Sequence, residues 1–144
     1  DGVSWGPLQP GETAEAVFDV RAGQGFGTSD YLYLSAWIDW DQNRTWSLCE
    51  EIVNLDDYYF SLGQNLLSVP FQVPATALPG ATWMRVRLSF GEDLAPAGGI
   101  TFGEVEDYQV TTMGSQPIPE PQVLTLLATG GVLVLLMRQR QRRE

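Results

Sequence analysis

The chain has no histidine, no lysine and a single cysteine among its 144 residues. Without an imidazole there is no Ser-His-Asp or Cys-His nucleophile and no His-ligated zinc. The lone Cys49 cannot close a disulfide within the chain, so the fold stands on its core, with or without a metal. As a free thiol, Cys49 is expected to act as a small buried or half-buried apolar residue. Positive charge is scarce: 8 basic residues, all arginine, face 18 acids, for a formal net charge of −10. Residues 1–116 hold 4 Arg and 16 acids, a charge of −12, whereas 117–144 hold 4 Arg and 2 acids, +2. An acidic body repels nucleic-acid phosphates and suits cations, which leaves carboxylate chemistry open.

A strongly amphipathic helix pattern is also missing from the first 116 residues. Gly and Pro punctuate at short intervals instead, and aromatic and branched residues are abundant, a mixture that favours strands. Alternation predicts strands over Thr13 to Val20 and Tyr31 to Trp40, shorter ones over Glu51 to Leu55 and Tyr58 to Leu62, then Leu66 to Val73, Trp83 to Phe90 and Glu104 to Thr112. In the second run Leu32, Leu34, Ala36, Ile38 and Trp40 share the core face. Tyr31, Tyr33, Ser35, Trp37 and Asp39 share the other, where an ion could reach Asp39. Met84, Val86, Leu88 and Phe90 point inward, so Arg85 and Arg87 project together from the outer face. Pro70 places its strand at a sheet edge. Short strands with one apolar face each pack best as two antiparallel sheets, so the expected fold is all-β, a jelly-roll-like β-sandwich over residues 1–113. Fully buried side chains such as Phe18, Ile38 and Val86 each contribute roughly 1.5–3 kcal/mol to it.

The densest chemistry follows the second strand. Asp39, Asp41 and Asn43 carry oxygens at alternate positions, Thr45 can add a carbonyl, and Glu50 or Glu51 stands where a calcium loop places its closing carboxylate. The sixth position, where the turn calls for Gly, is Arg44. Two readings fit, a Ca²⁺ loop and a polar hairpin with solvated carboxylates. A second cluster, Glu104-Val105-Glu106-Asp107-Tyr108, alternates so that Glu104, Glu106 and Tyr108 face one way and Val105 and Asp107 the other. Its acids need partners. Structural ion pairs joining Arg85 and Arg87 to Glu106 are one answer, and ligation of the same cation by Glu104 and Asp107 is the other.

The Asp1-Gly2-Val3 start, Leu34-Ser35-Ala36-Trp37-Ile38-Asp39-Trp40, Met84-Arg85-Val86-Arg87-Leu88-Ser89 and Gly103-Glu104-Val105-Glu106-Asp107-Tyr108, in this order, resemble the GEVED domain over residues 1 to about 112. The resemblance implies a β-sandwich module of secreted and surface proteins of bacteria. In that family the loop after the Trp-Ile-Asp strand usually reads Asn-x-Asp-Gly, where this chain has Asp41-Gln42-Asn43-Arg44.

A Pro-rich linker, 114–122, then carries Pro119-Glu120-Pro121. An apolar run from Val123 through Leu127 and Leu133 to Met137 follows, and Arg138, Arg140, Arg142 and Arg143 close the chain. Fifteen residues at 1.5 Å each span about 22 Å, short of the ~30 Å hydrocarbon core unless flanking residues extend them. The Arg cluster places the C-terminus in the cytoplasm and the body outside. This tail is similar to a PEP-CTERM sorting signal, which implies export in a Gram-negative bacterium and an exosortase-type processing enzyme as partner. An uncut hydrophobic helix serving as membrane anchor fits the same residues. The start at Asp1, without an initiator Met, is expected of a processed or partial chain.

Two functions follow as expectations. One is a non-catalytic, calcium-binding module that binds or bridges exopolysaccharide or a surface protein, with Tyr31, Tyr33, Trp37 and Trp83 exposed for stacking on sugar rings. The other is a carboxylate-dependent hydrolase of the glycosidase kind, or an accessory domain to one, which requires two acids flanking a cleft.

Overall fold

The computed structural model describes residues 2–22, 31–90 and 94–114. Among the described residues seven strands form two antiparallel sheets: β1 (Val3–Trp5), β2 (Thr13–Ala22), β3 (Tyr31–Ile38), β4 (Glu51–Tyr59), β5 (Gly63–Gln72), β6 (Gly80–Phe90) and β7 (Gly103–Thr112). One sheet has the order β1-β2-β5 and the other β4-β3-β6-β7. The all-β, two-sheet expectation holds for the described residues, and the linker and apolar tail lie outside them.

The period-2 alternation of β2, β3 and β6 builds the layer between the sheets. Ala14, Ala16, Phe18 and Val20 from β2 meet Leu32, Leu34, Ala36 and Ile38 from β3 and Met84 and Val86 from β6, all buried. Trp40 and Phe71 close one end, their rings 6.5 Å apart. β5 is an edge strand carrying Pro70, opposite Glu15 of β2.

Three sequence expectations need correction here. The two short strands around Asp56 are one, β4, whose pairing with β3 shifts register twice, between Leu32 and Leu34 and between Ala36 and Trp37. Acids sit comfortably on such an edge strand, because one of its sides faces water. The outer face of β3 is not open to solvent: Ser35, Trp37 and Asp39 are 1%, 0% and 2% exposed. Trp37 therefore offers no ring to a sugar. Residues 94–98 of the β6–β7 connection lie across this face, held by Arg87, which donates to the carbonyls of Ala95 and Gly98, and by Arg85, which donates to the Pro96 carbonyl. Arg87 is buried beneath it as a result. Cys49 is exposed rather than buried.

β7 pairs with β6 over its whole length, Gly103 opposite Ser89 and Thr112 opposite Gly80. At Gly103 the β6 backbone leaves no room for a side chain. A Cβ there would run into the Leu88 carbonyl oxygen, with Leu88 C and Ser89 Cα both 3.0 Å away, and φ is +151°, which L side chains rarely adopt. The prediction is that Gly103→Ala lowers stability by more than about 2 kcal/mol in chemical denaturation. Gly99→Ala, with nothing within 4 Å, changes it by less than about 0.5 kcal/mol. Equal denaturation midpoints for the two variants would contradict the close-approach argument.

Candidate metal centre

The β3–β4 connection, residues 39–50, is fastened to the sandwich at its base. The Asp39 N–H donates to Trp83 O (3.0 Å), extending the β3–β6 ladder by one residue, and Thr82 Oγ1 donates to Asp39 O (2.6 Å). Trp40 turns back into the core while Leu78 N donates to its carbonyl (2.9 Å). The Gln42 amide donates to Leu78 O and Pro79 O at 3.1 and 3.3 Å. Asp39 is thus placed by strand geometry, and the loop beyond it by short polar bonds.

Those bonds have the pattern of side chains capping nearby N–H groups. Asp39 accepts from Asn43 N (3.0 Å) and Arg44 N (2.9 Å), and Asp41 accepts from Asn43 N (3.1 Å) and Asn43 Nδ2 (2.8 Å). Asn43 Oδ1 accepts from Thr45 N (2.8 Å) and Thr45 Oγ1 (2.5 Å). Gln42 and Arg44 take left-handed backbone angles, φ +55° and +69°. Position six of the loop therefore has the conformation that glycine favours, built with an arginine at a cost of roughly 1–2 kcal/mol. At the far end Ser47 starts a single 3₁₀ turn, Leu48–Glu50. Glu50 reaches back, accepting from Trp40 N (3.0 Å), Ser47 N (2.8 Å) and Ser47 Oγ (2.8 Å).

The outcome is a convergence of Asp39, Asp41 and Glu50, whose carboxylate oxygens lie within 4.8 Å of one another. Asp39 and Glu50 are buried, Asp41 is exposed, and among the described residues no arginine pairs with any of the three. Burial pushes the Asp39 carboxyl above the ordinary carboxylate range; the N–H groups of Arg44 and Asn43 pull it back, and Asp41 and Glu50 push it up again. Three like charges at this distance call for a proton or a cation.

The remaining expected ligands are placed elsewhere. Asn43 and Thr45 bond to each other, as above. Glu51 begins β4, opposite Trp37, with Asn54 Nδ2 3.4 Å from its Oε2. Asp107 is taken by Arg85, in a two-pronged pair of 2.8 and 2.7 Å. Glu104 pairs with Leu88, five positions along β6 from the Trp83 that holds Asp39, some 17 Å at about 3.4 Å per residue. The partner of Arg85 is thus Asp107, opposite it in the ladder, and not Glu106, which accepts a hydrogen bond from Tyr108. Nothing in the spacing pointed to Trp46. The Arg85 guanidinium stacks 4.0 Å from its ring centroid, and Trp46 Nε1 is 3.4 Å from Trp83 O. Asp107 therefore reaches the acidic loop indirectly, by orienting Arg85 on the Trp46 ring.

A two-sheet antiparallel domain whose acidic β3–β4 loop is fastened to β6 and the segment before it defines the class. The GEVED domain model matches residues 33–111, more than half of the chain, and the chain belongs to that family. The match begins within β3, so β1 and β2, two of the three strands of the facing sheet, lie outside it. No curated protein and no solved structure matches the chain.

The raised pKa of Asp39 has a signed consequence. A carboxyl that holds its proton more tightly folded than unfolded costs stability at neutral pH, and the cost disappears as pH falls through its folded pKa toward the unfolded value near 3.8. In chelator, acidification from pH 7 into that window is expected to favour the wild type progressively over Asp39→Asn. Denaturant titrations at a series of pH values check this, and a pH-independent difference would contradict it.

Proposed function

We propose that this is a non-catalytic, calcium-stabilised module of an exported bacterial surface protein that binds or bridges surface polymer or protein. The observation that carries the cation is the convergence of Asp39, Asp41 and Glu50 with no arginine against them among the described residues. The donor set is oxygen only, as Ca²⁺ requires. Three carboxylates supply part of the six to eight oxygens Ca²⁺ takes, with water completing the sphere. The non-catalytic reading is supported by the position of Asp39: the carboxyl pushed up in pKa is buried under its own loop, away from the cavity of about 690 Å³ that Val3, Leu88, Phe102 and Glu104 line between the sheets, where a hydrolase would need its acid.

Binding to the folded state alone stabilises it by about 2.7 kcal/mol at a hundredfold excess over the dissociation constant. Millimolar Ca²⁺ should raise the melting temperature of the chelator-stripped domain, Asp39→Ala should abolish the rise, and Glu104→Gln should keep it. A melting temperature unmoved by Ca²⁺, or moved equally in the Asp39 variant, would leave the loop a capped turn and sink the proposal.

Export is supported by the chain's own pattern, Pro119-Glu120-Pro121, an apolar run and a terminal arginine cluster. An exosortase-type enzyme reading this tail would release a mature protein lacking the segment from Val123 onward. Intact-mass analysis from a host with and without the enzyme tests this, and full-length chain in the inner membrane of both hosts would replace it with a permanent anchor.

A further inference from the structure

Asn43 is followed two positions on by Thr45, with Arg44 between them, and is preceded two positions back by Asp41. Asn-x-Thr with a residue other than proline in the middle is the acceptor pattern for N-linked glycans on exported chains. Three-residue patterns recur by chance, so this one gains weight only from how the fold presents it. The chain has two further asparagines, Asn54 and Asn65, and neither carries the pattern, since Asp56 and Leu67 stand two positions after them. Both also lie inside paired strands, opposite Ser35 and Val20, where a modifying enzyme would have to pull the backbone out of its ladder.

Asn43 lies in the β3–β4 loop, between two residues whose backbone turns left-handed, Gln42 at φ +55° and Arg44 at φ +69°. Asp41, Asn43, Arg44 and Thr45 are exposed, while buried Asp39, Trp40 and Glu50 hold the loop to the sandwich. An enzyme can therefore reach the pattern without unfolding the domain. The fold has also gathered its functional groups. Thr45 Oγ1 and Thr45 N both donate to Asn43 Oδ1, at 2.5 and 2.8 Å, so hydroxyl and amide can be read together. On the other side of the amide, Asn43 Nδ2 donates one hydrogen to Asp41 Oδ2 at 2.8 Å. Its second hydrogen has no acceptor among the described residues. The Asn43 backbone N–H, donating to Asp39 and Asp41 at 3.0 and 3.1 Å, fixes the residue without using that hydrogen. An amide nitrogen is a weak nucleophile, and a carboxylate accepting from it raises its electron density.

We infer that Asn43 is the attachment site of an N-linked glycan, qualified by Thr45 and Asp41. The bond formed joins Nδ2 to the anomeric carbon of a glycan carried on a polyprenyl diphosphate. The anomeric C–O bond breaks, its electron pair leaves with the diphosphate, and the spare Nδ2 proton passes to a base of the transferase. The other hydrogen stays on Asp41, so the contacts of Asp39 and Glu50 are untouched. The inference rests on the exported-module reading, because the pattern is an acceptor only in exported chains, and it adds a saccharide covalently joined to the module.

The test incubates the purified full chain in detergent, which bypasses export, with a bacterial oligosaccharyltransferase and its polyprenyl-diphosphate-linked glycan, and reads intact mass. The wild type should gain the mass of one glycan, Asn43→Gln and Thr45→Ala should gain none, and Thr45→Ser should keep the gain. Asp41→Ala should slow the modification at least tenfold. Glu50→Gln should be modified as wild type while losing the Ca²⁺-dependent rise in melting temperature, so the glycan and cation proposals fail separately. Because the assay needs no export, its failure is also distinct from that of the export reading. No gain on the folded chain, with or without modification of a peptide spanning residues 39–47, would overturn the inference, as would a gain that persists in Asn43→Gln or Thr45→Ala. An unchanged rate in Asp41→Ala would overturn the part assigned to that carboxylate.

Discussion

A carboxylate buried at the end of a core strand is the constraint around which this domain is arranged. Asp39 continues the β3–β6 ladder through its backbone and is 2% exposed, so its side chain has left water without gaining an arginine among the described residues. Removing a charge from water costs several kcal/mol unless something replaces the solvent. Two N–H groups from Asn43 and Arg44 do part of this, and they reach Asp39 because the backbone at Gln42 and Arg44 turns left-handed. Glu50 then adds a second buried carboxylate instead of a counter-charge. The same folding that satisfies the backbone brings negative groups together, and the proposed cation would offset them.

The family's last motif has two faces with different surroundings. Outward, Asp107 grips Arg85, whose guanidinium lies on Trp46 and so connects the final strand to the acidic loop. Inward, Glu104 and Glu106 stand over the opening between the sheets. Gly103 admits the close approach to Leu88 that sets the register of both faces. A one-residue slip would exchange the faces, sending Asp107 inward and Glu106 toward Arg85.

Much of the fold was legible because period-2 alternation is strong wherever one strand face is buried. Leu32, Leu34, Ala36 and Ile38, and Met84 and Val86, are core residues as their spacing predicts. β1 escaped notice because three residues, Val3–Trp5, are too few to show a period. The burial of Trp37, Ser35 and Arg87 was not legible at all, since it depends on the β6–β7 connection folding across the outer face. At the site, Asp39, Asp41 and Glu50 could be picked out by loop spacing. Glu104 and Asp107 were misplaced as ligands because pairing register, which spacing does not reveal, sets Asp107 against Arg85 and carries Glu104 down the strand. Trp46 left no signal of its own, because its role arises only when β6 brings Arg85 onto it.

Terbium luminescence tests the cation cage most directly, since Tb³⁺ takes the oxygen ligands of Ca²⁺ and emits when a nearby indole is excited. Trp40 and Trp46 lie in the loop sequence between Asp39 and Glu50. Excitation of tryptophan in the chelator-stripped domain should give Tb³⁺ emission that saturates with one site, is displaced by millimolar Ca²⁺ and is lost in Asp39→Asn. Absence of sensitised emission, or emission that persists undiminished in the Asp39 variant, would show that Asp39, Asp41 and Glu50 are held by backbone N–H groups and protons alone.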